Sequence, residues 1–174
     1  SNIGFSASPV RFGNGGLDAS SDEAEPQKSA AVTTSIQFAT GTVNPAIISN
    51  DAWMTAYGMI RSVNMFLKHI PKTPMPAADK ERLRAEARFL RAWYYAILLK
   101  HYGGVPLIGD TIYNVSDRIP ANRNTSAECV DYIVSECDAA AQVLPVTRIR
   151  QDYGRAGAGA CRPLQARVLL CGAS

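Results

Sequence analysis

At 174 residues, 47% apolar and 19% charged, the chain is long enough for one domain with a core and too apolar for wholesale disorder. Its formal net charge of +3 is small for this length, so neither nucleic acid nor an anionic membrane is required as a partner. The four cysteines, Cys129, Cys137, Cys161 and Cys171, make no Cys-x-x-Cys pair and match no zinc spacing, so no metal site is expected.

Residues 1–50 are rich in Ser, Thr, Gly, Asn and Ala and lack sustained periodicity. Turn signals at Gly13–Gly16 and at Asn44-Pro45 mark a long irregular segment, with short extended pieces expected around Thr33–Phe38. From residue 51 onward the pattern becomes helical, which sets a division into an irregular 1–50 and a helical-repeat region 51–174. Asn50 or Asp51 can cap the first helix. Trp53, Tyr57, Ile60, Asn64 and Leu67 then follow at spacings of four and three, and Ala56, Met59, Val63, Phe66 and Ile70 widen the apolar sector. Pro71, Pro74 and Pro76 end this helix.

Asp79 offers a cap for a second helix, which becomes apolar on nearly every side between Phe89 and Leu99 and must be buried on more than one face. That run is far short of the roughly 20 apolar residues needed to cross a bilayer. Trp53, Tyr57, Phe89, Leu90, Trp93 and Tyr94 read as core, and Trp93→Ala is expected to cost about 3–5 kcal/mol. Arg82 and Glu86 read as an exposed i, i+4 pair worth about 0.2–0.5 kcal/mol. The arginines at 82, 84, 88 and 91 spread around the cylinder, which favours solvated or interhelical salt-bridging roles over phosphate binding.

Gly103-Gly104 and Pro106 stop the second helix, and residues 105–124 form a loop. Thr125-Ser-Ala-Glu128 is a capping box for a third helix, with Val130, Ile133, Val134, Cys137, Ala141 and Leu144 facing inward and Pro145 closing it. A fourth helix carries Ala160, Leu164, Val168 and Cys171 on its inner face. Pro163 requires either a start near Arg162 or a kink. The cysteines read as small buried apolar residues, with a disulfide between the last two helices left open. The fold expected is all-α: stacked antiparallel helix hairpins of tetratricopeptide type behind a long irregular N-terminal segment.

Catalytic chemistry finds little support. His69 and His101 each sit beside a helix C-terminus, where a cation is favoured structurally. There is no Gly-x-Ser-x-Gly elbow, no His-Glu-x-x-His pair and no Cys-His constellation. The glycines at 154, 157 and 159 mimic a phosphate loop, yet no Lys-Ser/Thr follows them, so no nucleotide or other cofactor is expected. Aromatics in irregular segments, Phe12, Phe38 and Tyr113, are the better candidates for ligand stacking.

Four ordered pieces resemble the SusD/RagB family of outer-membrane nutrient-binding lipoproteins. They are Ser21-Asp-Glu23; Trp53, Tyr57, Ile60 and Asn64 at their spacing; the run Glu86–Tyr95 with Tyr102-Gly-Gly-Val-Pro-Leu107; and Arg123 to Glu128, through Ile133 to Leu144-Pro145, with Gly154-Arg155-Ala156 and Ala166–Leu170. The resemblance implies a non-enzymatic protein that holds an oligosaccharide or peptide nutrient at the surface of a Bacteroidetes-type outer membrane. It also implies a lipid anchor on an N-terminal cysteine and delivery to a SusC-like TonB-dependent transporter. Against that pattern the chain reads as an internal fragment, lacking the anchoring cysteine, the first helix and the long C-terminal half. The rival reading is a helical-repeat scaffold that binds only other proteins.

Overall fold

Helix α1 (Ala52–His69), a 3-10 turn (Ile70–Lys72), α2 (Ala77–Tyr102), α3 (Ser126–Ala141) and α4 (Ala158–Gly172) succeed one another in the computed structural model. The structure describes residues 40–42, 52–114, 117, 122–147 and 152–172, and no strand occurs among them. Two units divide the chain, residues 1–55 and 56–174. Of the first, the structure describes the start of α1 and a short turn, where the Thr40 and Thr42 hydroxyls lie 2.9 Å apart. Phe12, Phe38, the Thr33–Phe38 pieces and the Asn50/Asp51 cap lie outside the described residues.

Cross-helix pairs in the second unit fix the directions of the helices. Asn64 of α1 meets Arg91 of α2, and seven residues earlier Tyr57 meets Tyr95, so α1 and α2 are antiparallel. Arg88 and Arg91 of α2 meet Glu136 of α3, while Val105, just beyond α2, meets Cys129 near the start of α3. Gln165 of α4 meets Asp138, and Gly172 abuts Val130, which makes α3 and α4 antiparallel as well. The hairpins α1/α2 and α3/α4 thus stack with α2 against α3, giving the all-helical, tetratricopeptide-like array expected.

The 26 residues of α2 span about 39 Å. Its buried residues include Ala85, Ala87, Phe89, Ala92, Tyr95, Leu98 and Leu99. Small residues between large ones let α1 and α3 approach from two sides. Leu90 and Tyr94, like Tyr57 and Trp53 of α1, are half-buried. Trp93 departs from expectation: it is 38% exposed. A helix turns by about 100° per residue, so Ala92 and Tyr95 point inward while Trp93 rotates toward solvent.

Four other expectations need correction. Helix α2 begins at Ala77 after Pro76, so Asp79 lies in the first turn, where its charge favours the helix dipole, rather than at the cap. Glu86 is buried at 9% exposure because Arg155 reaches it with a two-pronged grip through Nε and Nη2. On α4 the inner face is Cys161, Leu164, Gln165 and Val168, while Ala160 and Cys171 are exposed. Helix α4 starts at Ala158, well before Arg162, and carries Pro163 inside it on the exposed side. All four cysteines are free, and burial pushes the Cys137 thiol up to about 12, which leaves it protonated and unreactive at neutral pH.

Helix α3 begins on the capping box the sequence announces. The Glu128 amide donates to Thr125 Oγ1 at 3.2 Å, and Glu128 Oε2 accepts from the Thr125 amide at 2.7 Å. The Thr125 hydroxyl also donates to Glu128 Oε2, at 2.9 Å, and the bonds from the Thr125 amide and hydroxyl hold the Glu128 carboxyl below its ordinary range. A depressed folded-state value means the box supports the helix at neutral pH and loses that support as pH falls through the carboxylate range.

Between α2 and α3 the chain makes a strap, residues 103–114. Gly103 takes φ 67°, open to glycine, and ends α2. Gly104 has no room for a side chain: a Cβ there would collide with the Asn124 carbonyl and sit 3.0 Å from the Ser126 amide. Both neighbours are backbone and cannot swing aside. Gly104→Ala is therefore expected to destabilise by about 2–3 kcal/mol, measured as a lowered urea midpoint with unchanged m. A shift below about 0.5 kcal/mol would mean that the strap is looser than described.

Candidate functional site

The strap is held against the helices by polar side chains, among them Tyr57 and Asn64 from the periodic face of α1. The Tyr57 hydroxyl donates to the Pro106 carbonyl at 2.7 Å, and the Ile108 amide donates to the Tyr95 hydroxyl at 3.0 Å. Asn64 Nδ2 donates to the carbonyls of Gly109 and Thr111 at 2.8 and 3.0 Å. Arg123 donates to the Gly104 and Tyr102 carbonyls, and Asn124 Oδ1 accepts from the Leu107 amide at 3.0 Å. Tyr95 is fully buried, with Tyr57 and Tyr132 packed edge-on at centroid distances of 6.4 and 5.1 Å. Burial pushes its phenol up to about 12, so it stays protonated.

Arg91 is the hub of this arrangement and is 4% exposed. Its Nη1 donates to Asn64 Oδ1 at 2.8 Å and to Asp110 Oδ1 at 2.5 Å. Its Nε and Nη2 both reach Glu136 Oε2, at 2.9 and 2.8 Å. Arg88 occupies the other carboxylate oxygen, with Nε and Nη2 at 3.1 and 2.7 Å from Glu136 Oε1. One carboxylate is thus clamped by two guanidinium groups, and one guanidinium ties α1, α2, α3 and the strap together. Burial draws the Arg91 pKa down, but Glu136 and Asp110 more than reverse this, and the net shift is upward. The arginine stays charged at every accessible pH.

Above this network lies a cleft of about 530 Å³. Helix α1 lines it with Asn64, Leu67 and Lys68; α2 with Arg84, Arg88 and Arg91; the strap with Gly109 and Asp110; α3 with Tyr132 and Glu136. The Tyr132 hydroxyl is buried and lacks a hydrogen-bond partner among the described residues. Burying a hydroxyl unsatisfied is unfavourable, so Tyr132→Phe is expected to leave stability unchanged or raise it by about 1 kcal/mol. A loss exceeding that amount in urea denaturation would reveal a bond that the geometry does not contain.

Tyr113, expected to meet ligand, lies half-buried near the end of the strap, where its carbonyl accepts from Arg61 Nε at 3.3 Å. It does not line the cleft. Its fellow candidates Phe12 and Phe38 lie outside the described residues. The cleft itself was not anticipated as a unit, because its residues come from four segments; the sequence signals that belong to it are Asn64 on a buried face and Arg91 in an apolar run. Among the described residues no group of His, Cys, Asp and Glu could hold a metal ion, and no helix is long and apolar enough to cross a membrane.

Known proteins place this architecture. A curated SusD-like protein of Formosa agariphila, P38, is 31% identical over 101 residues, covering 58% of this chain and 19% of that protein. A laminarin-binding SusD-like protein superimposes with a TM-score of 0.80 at 27% identity, over 93% of this chain and 34% of its own. A SusD-like carbohydrate-binding protein of Bacteroides fragilis matches with a TM-score of 0.64 at 30% identity, over 72% of this chain and 24% of its own. The chain therefore spans between about a fifth and a third of the length of these relatives. The SusD-like family signature, described as starch-binding and associating with the outer membrane, matches residues 12–170, and the chain belongs to that family.

Proposed function

We propose that this chain is the helical part of a non-enzymatic glycan-capture protein, which holds oligosaccharide nutrients at the outer face of the bacterial outer membrane. In this reading the full-length protein is lipid-anchored there and passes its ligand to a SusC-like TonB-dependent transporter. The observation that carries it is the likeness to the laminarin-binding protein, with a TM-score of 0.80 over 93% of the chain. The carbohydrate-binding relative from Bacteroides fragilis points the same way.

The helical array suits a scaffold role. A packed stack of hairpins with a strap tied down at many points presents loops rigidly, and rigid presentation lowers the entropy lost on binding. Tyr113, with Phe12 and Phe38, supplies aromatic faces for stacking on sugar rings. Affinity electrophoresis in gels containing a panel of β- and α-glucans tests the proposal. Retardation by at least one glycan, weakened by Tyr113→Ala without a change in helical content, is the expected result. Migration unaffected by every glycan, together with measurable turnover of any of them, would overturn it.

A further inference from the structure

We propose that the cleft between α1, α2 and α3 is a subsite for an acidic sugar unit, carrying a uronate carboxylate or a sulfate ester, on the oligosaccharide; this rests on the glycan-binding reading above. Four cationic and two carboxylate side chains line the cleft. The two carboxylates are already engaged, Glu136 by Arg88 and Arg91 and Asp110 by Arg91. Lys68 and Arg84 are exposed and have no ion-pair partner among the described residues. The cleft therefore carries an excess of positive charge on a concave wall, which concentrates the field on whatever enters.

The two free cations and the cleft around them match the chemistry of such a unit. A guanidinium presents a planar fork of donors to a carboxylate or sulfate, and an ammonium adds a mobile point charge. The Asp110 carboxylate, whose side chain is 84% exposed, and the Gly109 carbonyl are acceptors for sugar hydroxyls. Tyr132 adds an aromatic ring to the wall of the cleft. At about 530 Å³ the space falls within the roughly 300–1,000 Å³ of small-ligand sites. Because the Arg91–Glu136 network fixes the floor across three helices, little ordering is left for the ligand to impose.

Titration calorimetry of the purified chain against three oligosaccharides of equal length, one neutral, one uronate and one sulfated, tests the proposal. At least one acidic oligosaccharide is expected to bind about tenfold more tightly than the neutral one, with the gap closing at high salt. The Lys68→Ala/Arg84→Ala double variant should abolish the gap while keeping the helical circular dichroism. Both positions are exposed, so the variant should fold. Equal affinities for neutral and acidic ligands, or a preference surviving the double substitution, overturn the subsite and leave glycan binding standing. Failure of all three oligosaccharides to bind removes both proposals.

Discussion

Arg91→Ala is expected to destabilise the fold by about 3–5 kcal/mol, the range for breaking a buried ion pair by removing one partner. The side chain is 4% exposed and holds Glu136, Asn64 and Asp110 at once. Its removal leaves Glu136, also 4% exposed, with Arg88 as its remaining guanidinium, and strips Asn64 Oδ1 of its donor. Against a total stability of roughly 5–15 kcal/mol for a domain, that loss removes a large fraction of the folding free energy. Urea denaturation followed by circular dichroism measures it; a cost below about 1 kcal/mol would show that the network is decorative.

Two companion variants separate charge from shape. Arg91→Lys keeps the charge but replaces a fork with a point, and one ammonium cannot face Glu136 on α3 and Asn64 on α1 together. It should therefore recover less than half of the stability lost in the alanine variant. Glu136→Ala leaves the opposite problem, a buried guanidinium facing no carboxylate on α3. The double variant Arg91→Ala/Glu136→Ala should cost less than the sum of the two single changes, because each single change strands the other partner. Salt should matter little to these differences, since Arg91 and Glu136 are both buried. The Arg82 pairs with Asp79 and Glu86, both at 3.4 Å and partly exposed, should contribute far less.

The helices were readable because their signals are local. Thr125 and Glu128 announce α3 three residues apart, the proline series after Ile70 closes α1, and Gly103 closes α2. Asn64 falls on the buried line of α1, and the spread of arginines on α2 anticipates interhelical pairing, which Arg88 and Arg91 make. What the sequence could not supply was which carboxylate they meet. Glu136 sits 45 residues beyond Arg91, amid an acidic stretch in which Glu128, Asp131 and Asp138 are equally plausible on composition. Only the antiparallel register of α2 on α3 selects it. The α4 register failed for a related reason. Ala, Gly and Cys crowd its first turns, so small residues occur on every side and neighbouring lines look alike.

Tyr95→Ala, by contrast with its neighbour, is expected to cost about 3–5 kcal/mol, and Trp93→Ala less than about 2 kcal/mol. Both lie in one apolar run, and side-chain size alone would rank the tryptophan first. Tyr95 is fully buried, packs edge-on against Tyr57 and Tyr132, and accepts the strap amide of Ile108, whereas Trp93 is 38% exposed. Truncating Tyr95 opens a cavity between three helices and leaves a strap amide unsatisfied; truncating Trp93 removes surface that water already reaches in part. Tyr95→Phe isolates the hydrogen bond and should cost about 1 kcal/mol. Thermal unfolding of the three variants side by side decides the matter. If Trp93→Ala proves the costlier substitution, the rotation of α2 about its own axis described above is wrong, and with it the placement of Arg91 toward Glu136.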